Sequence, residues 1–454
     1  MTTTTPSSTK ILPPGPRGHW LLGSVPEVRG RFIPYLQEMH GQYGDVFRLR
    51  VGMRPLYIVS HPDLAQEMLI ERKREFIKPY DPKKPIGLQL VLGTGLLTNH
   101  DHDSWLSQRR MMQPMFHRKR IQGMVDKMIA AGEDMLTRWA NTYQPGDVMD
   151  LEHEMMMVTL DIVNRTMFST TAEADVGMVG NAVTVALKAA TRLTSSPIRI
   201  SPNIPTPNNI QFRRALAQMD TFIYGLIDQR RQAGVQYGDL LDMLLDARDE
   251  ETGEGMSDKQ IRDEVLTIFG AGHETTANAL TWGWYALAQH PHILAKLQEE
   301  VDTVLGDRVP TTADLRSLPY TKAVFDEVLR MYPPAPVVPR RVLTDTEIAG
   351  YHIPAGTILL ICVNNLHYHP DFWDAPQTFA PAREHPAHHY AYMPFGGGPR
   401  ICIGSNFAQV EGQLLLAMTA QRYDLSLLPA HPVEKAFAVT MRPKYGMKMI
   451  VTPR

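Results

Sequence analysis

The chain has 454 residues, 43% hydrophobic and 21% charged, with 46 Lys and Arg against 48 Asp and Glu. This is the composition of a globular protein with a large core, and the near-zero charge argues against a nucleic-acid partner. With only two cysteines, Cys362 and Cys402, and no apolar run of roughly 18 residues, a disulfide framework, a transmembrane anchor and a secretory leader are all unexpected.

Residues 1–12 read as a disordered polar tail ahead of a Pro-rich hinge, Pro13-Pro14-Gly15-Pro16-Arg17-Gly18. Val46–Val51 and Leu56–Val59, separated by Gly52-Met53-Arg54-Pro55, predict a β-hairpin. Ser60 is placed to cap a helix opening near Pro62, and 78–100 is rich in Pro and Gly and reads as loop. Helical periodicity runs from about Ser104, broken at 195–207 and again at 250–255. A long apolar helix follows over Asp258–Ala288, stopped by Pro291. Strand-like runs return at Thr357–Ile361 and around Met447–Ile450. The class is mainly α with a smaller β-sheet region. Its β-rich part is mainly 40–60 and 337–362 plus C-terminal strands, and its helical part mainly 104–335 and 404–421.

The loop Phe395-Gly396-Gly397-Gly398-Pro399-Arg400-Ile401-Cys402-Ile403-Gly404 carries the most chemistry. Its glycines leave backbone N–H groups free to turn toward the sulfur. The helix-forming run from Ser405 sets Cys402 near a positive helix N-terminus, and Arg400 adds a cation. Both favour thiolate over thiol, the form that binds metals.

This loop resembles that of the cytochrome P450 family of haem-thiolate monooxygenases, matching F-G-x-G-x-R-x-C-x-G at every fixed position. The resemblance covers nearly everything from the hinge onward. It implies one haem domain over 13–454 with the cytochrome P450 fold, and haem b held by the Cys402 thiolate. That ligation is a property of the family, not a deduction from the loop.

Ala271-Gly272-His273-Glu274-Thr275-Thr276 lies inside the long helix. Gly272 is costly in a helix interior, by about 1 kcal/mol against Ala, and is expected to let backbone approach a flat ligand. Thr275 can divert a helix carbonyl. By resemblance the segment covers the distal haem face, with Thr275 stabilising bound oxygen and Glu274 relaying protons through water. His273 reads as structural. Glu327 and Arg330, at i and i+3, could be a surface pair of little worth. The resemblance instead makes them a buried pair joined by Arg383, shaping the cysteine loop. It also assigns haem propionates to Trp105, Arg109, Arg340 and Arg400, and haem contacts to Phe395, Gly396, Ala271, Gly272 and Gly404. Arg110 and Arg341 are read as facing solvent or a partner, and Cys362 as a core residue in a strand. A zinc site among His367, His369, His385, His388 and His389 is conceivable, but no acidic pattern supports it.

Further similarity to the haem domain of bacterial fatty-acid hydroxylases implies a hydrophobic substrate, first a long-chain fatty acid. A terpenoid or steroid is the alternative, as is a peroxide-driven hydroxylase. Pocket candidates are Arg54, Leu96, Leu97, Ala271, Val337, Val338 and Phe437. Arg54 would pair with a carboxylate, although Ile58 stands where those hydroxylases carry a tyrosine; a leucine at 96 or 97 replaces a bulky aromatic and would admit branched or cyclic molecules. No flavin or nicotinamide fingerprint follows the haem region. O2 and NAD(P)H-derived electrons are therefore expected to act through a separate ferredoxin and its reductase, or a flavoprotein. The expectation is a soluble, cytoplasmic, bacterial monomer.

Overall fold

The computed structural model describes residues 10–80, 85, 87–169, 180, 182–183, 185–190, 192–193, 201–249 and 251–454. Their contacts form two units: Met1–Pro79 with Pro336–Pro376 and His385–Ile401, and Tyr80–Ala335 with Gln377–Glu384 and Cys402–Arg454.

The first unit is built on a five-stranded sheet. Its strand order is Val46–Val51, Arg54–Val59, Ile358–Ile361, Val338–Val342, Phe76–Ile77. The hairpin is present, turning at Gly52 with φ +61°, and its second strand lies parallel to Ile358–Ile361. Period-two alternation splits the side chains between two cores. Tyr57, Val59, Leu359 and Ile361 enter one. Phe47, Leu49, Ile58, Leu360 and Cys362 enter the other. Cys362 is thus a core residue, but it follows the strand and opens the short helix Val363–Leu366. Ser60 does not cap the next helix. It is fully buried and receives a hydrogen bond from Asn365 Nδ2, while His61 Nδ1 caps Pro62–Gln66 through the Asp63 N–H. Residues 1–9 of the expected tail lie outside the description. Ile11, expected in that tail, is tied down: its carbonyl accepts the His352 N–H at 2.7 Å.

The second unit is helical around Asp258–Gln289, which opens with a capping box between Ser257 and Gln260. Every residue of Ile261–Gly270 and of Thr276–Trp284 is buried. The Ser405–Arg422 helix lies close to Pro319–Met331: a Cβ on Gly412 would stand 2.1 Å from the Phe325 ring. The C-terminal strands are more extensive than expected, with Tyr423–Leu427, Lys448–Pro453 and Val148–Asp150 in one sheet and Lys435–Phe437 with Met441–Pro443 in another. Residues 78–100, read as loop, contain a four-residue helix, Gln89–Leu92.

Two adjacent carboxylates of the long helix hold the chain that follows that short helix. Asp263 accepts from the Thr94 N–H at 3.0 Å and from Lys259 Nζ at 2.6 Å. Glu264 accepts the Leu96 N–H at 2.9 Å, and its other oxygen is buried without a hydrogen bond among the described residues. Burial pushes the Glu264 carboxyl up to about 8, against the lowering effect of that N–H. Unfolded glutamate ionises near its ordinary value while the folded group stays protonated. The contribution is therefore complete at acid pH and is lost as pH rises through about 8. We expect urea midpoints to show Glu264→Gln removing this decline. Relative to wild type, the variant should gain stability between pH 5 and 9 by up to about 4 kcal/mol, at roughly 1.4 kcal/mol per pKa unit.

Candidate active site

In the second unit the long helix is uncovered in its interior over Ala271–Thr275. Between its two sealed runs Ala271 is exposed, Gly272, Glu274 and Thr275 are half-buried, and only His273 turns fully inward. The Thr275 hydroxyl donates to the Ala271 carbonyl at 2.7 Å. Its proton is therefore engaged with the helix, and its lone pairs are left to accept from a ligand on the open side. Glu274 Oε1 accepts from the Thr440 hydroxyl at 2.6 Å, and Thr440 accepts from Asn278 Nδ2 at 3.1 Å. Thr440 was not legible as a site residue because 166 residues separate it from Glu274, whereas Asn278, one helical turn after Glu274, had a local relation that was not singled out.

His273 is structural, as expected: Nδ1 lies 2.6 Å from the Phe269 carbonyl, and burial lowers its pKa. A Cβ on Gly272 would stand 3.0 Å from Val163, so close packing against the Leu151–Val163 helix is a second physical reason for the glycine beside the expected ligand approach. Ala271 is the residue that presents its methyl group to open space.

Cys402 is exposed to the surface, while desolvation by the protein around it raises its thiol pKa. A backbone hydrogen bond from Gly404 and the charge of Arg109 pull the other way. The Ser405–Arg422 helix begins three residues later, with Gly404 as its N-cap. Arg109 is half-buried on the His102–Met112 helix, one turn after Trp105, which is 2% exposed. Arg110 pairs with exposed Glu251 at 2.7 Å, in keeping with its reading as an outward residue.

In the first unit, the other arm of the cysteine loop carries Phe395, Gly396 and Arg400, all half-buried. Gly396 turns at φ +73°. Gly398 has φ +69°, and a Cβ there would meet the Leu69 carbonyl at 2.4 Å, so only glycine fits. Arg340, 5% exposed on Val338–Val342, alternates with half-buried Arg341. Lys78 is a third cation in this environment, missed by sequence reading because no pattern marks it. Burial, then the charges of Arg340 and Arg400, hold its pKa well below the usual lysine range. Lys78, Arg340 and Arg400 are basic side chains of the type that pairs with carboxylates.

Within the second unit Glu327 and Arg330 are buried, 3% and 0% exposed. Arg330 Nε donates to Glu327 Oε2 at 2.7 Å, and Arg383 Nε to Oε1 at 2.9 Å. Both arginines also donate to the Thr378 carbonyl. This is a buried triad and not a surface pair.

The pocket candidates divide. Leu96 is 8% exposed and Leu97 half-buried, beside the Glu264 anchor. Phe437 is half-buried on its hairpin strand. Val337 and Val338 pack against the two opposite cores of the sheet. Arg54 is exposed at its strand end, and Ile58 is sealed in the core, so it cannot stand in for a ligand-facing tyrosine.

The family model described as Cytochrome P450 matches residues 13–450. The chain is 36% identical to cyclooctatin synthase of Streptomyces melanosporofaciens, over 91% of this chain and 89% of that protein. It is 32% identical to pentalenene oxygenase of Streptomyces avermitilis, over 95% and 96%. Its structure resembles the crystal structure of the cytochrome P450DA heme domain, with a TM-score of 0.88 and 27% identity over 98% of each chain. If Lys78 serves the propionates, Lys78→Met should speed haem loss to an apoglobin trap about 10- to 100-fold, the scale of one charge-assisted hydrogen bond. An unchanged rate would remove Lys78 from the site.

Proposed function

The chain belongs to the cytochrome P450 family, and we propose that within it this protein oxygenates a cyclic terpenoid in preference to a long-chain fatty acid. It is a monooxygenase, an oxidoreductase of the class that carries haem-thiolate iron. Its residues fit that group. Cys402 is exposed to the surface, Ala271 and Thr275 lie uncovered on a sealed helix, and Lys78, Arg340 and Arg400 suit carboxylates. Cys402 would hold the iron, and those three cations with Trp105 and Arg109 would hold the propionates. When bound, the thiolate-ligated haem supplies the activation of dioxygen that puts one oxygen atom into a C–H bond.

The observation that carries the reading is the uncovered Glu274–Thr275 pair. The Thr275 hydroxyl, its own proton spent on Ala271 O, accepts a hydrogen bond at the open face. Glu274, steadied by Thr440 and Asn278, supplies protons through water. A peroxide-driven hydroxylase needs no such acid–alcohol pair, so its presence favours dioxygen with electrons from a separate redox partner. No described helix is long and apolar enough to cross a membrane.

For the substrate, two relatives are named for cyclooctatin and pentalenene. Leu96 and Leu97 are aliphatic where a bulky aromatic would narrow the pocket, and Arg54 is exposed instead of directed into apolar surroundings. These points favour the terpenoid alternative over the fatty acid first expected. Titrating the ferric protein with a lipid panel tests it. Cyclic terpenoids should move the Soret band from low to high spin, and long-chain fatty acids should not. A saturable shift with fatty acids that disappears in Arg54→Ala would overturn the proposal.

A further inference from the structure

The histidine-rich stretch after residue 366 showed no metal-ligand pattern of histidines and acids in its own sequence. The first unit supplies an acid from far upstream. Asp45 lies between the Phe32–Tyr43 helix and the Val46–Val51 strand. On a single oxygen, Oδ1, it meets His40 Nε2 at 2.9 Å and His369 Nε2 at 3.1 Å. The candidate ligand atoms of all three residues lie within 4.8 Å of one another. The His369 side chain is 4% exposed, that of His40 17% and that of Asp45 38%. The cluster therefore has a buried wall and a side open to entry.

We propose that His40, Asp45 and His369 bind a borderline divalent cation of the zinc class, in addition to the iron expected at Cys402. Two imidazoles and one carboxylate suit such an ion, with water completing the shell. Bonds of 2.0–2.2 Å in a tetrahedral site put ligand atoms about 3.3 Å apart. The two contacts to Asp45 already have nearly that spacing, so the main adjustment is to bring the imidazoles together.

The outer shell is also present. His369 Nδ1 accepts the Asp371 N–H at a long 3.3 Å, the arrangement of the Nε2–H tautomer. Ligation through Nε2 moves that proton to Nδ1. The Asp371 carboxylate, 4.0 Å from Nδ1 and 77% exposed, can then swing in to accept it. No net proton need leave His369. His61 sets its ring edge-on to His369 at 5.4 Å, while its Nδ1 is engaged with the Asp63 N–H. The other flagged histidines are occupied differently: His367 Nε2 accepts the Met393 N–H, His388 pairs with Asp63, and His385 packs on Tyr392. The ion would tie the end of one helix, the start of a strand and the turn after Leu366.

Calorimetric titration of zinc chloride into haem-loaded, tag-free, chelator-stripped protein tests this. About one equivalent should bind saturably and raise the thermal midpoint. Asp45→Asn should abolish both effects and His40→Gln should weaken binding at least about tenfold, the scale for loss of a metal-site interaction, whereas His389→Gln should leave it intact. Circular dichroism and haem content identify any variant that misfolds, and His40→Gln, altering a half-buried side chain, then decides. Absence of saturable binding, or undiminished binding in His40→Gln, would overturn the proposal.

Discussion

The proposed site depends on one exposed cysteine, Cys402, set at the start of a helix behind a glycine-rich turn. An isolated thiol in that position is disfavoured as thiolate: burial raises the Cys402 pKa, and the Arg109 charge and one backbone hydrogen bond oppose the shift without reversing it. A metal cation reverses that balance, since a coordinating thiol is deprotonated outright. The surrounding devices follow from this requirement. Gly398 lets the loop pass the Leu69 carbonyl, and Gly404 caps the helix that begins after the cysteine. The proposed carboxylate role offers a reason for placing Lys78 where burial and the charges of Arg340 and Arg400 lower its pKa.

What was legible in the sequence is what depends on neighbours along the chain. The hairpin, the long helix with its stop at Pro291, and the i, i+3 spacing of Glu327 and Arg330 are local features, and the structure contains each. Arg383 was legible only through family resemblance. It lies 56 residues from Glu327, and its contact with the Oε1 atom belongs to the fold. Asn278 lay one turn after Glu274 on the same helix and was not singled out, while Lys78 and Thr440 had no local signature at all. Asp45 was invisible as a histidine partner for the same reason, because 324 residues separate it from His369.

Ser60 has the chemistry of an N-cap, but its burial and its bond from Asn365 claim the hydroxyl, and the adjacent His61 imidazole takes the role. Residue type suggested the function, and competition for the same atom decided it. Gly272 was read by its cost in a helix, and the close approach of Val163 adds a packing reason for it, while Ala271 is the exposed residue of the segment.

The most direct test of the account is the spectrum of the reduced, CO-treated protein. Ligation by Cys402 predicts the long-wavelength Soret band of a thiolate complex, lost in Cys402→Ser with haem still bound. A short-wavelength band in the correctly folded wild-type protein, or a long-wavelength band that survives Cys402→Ser, would contradict it.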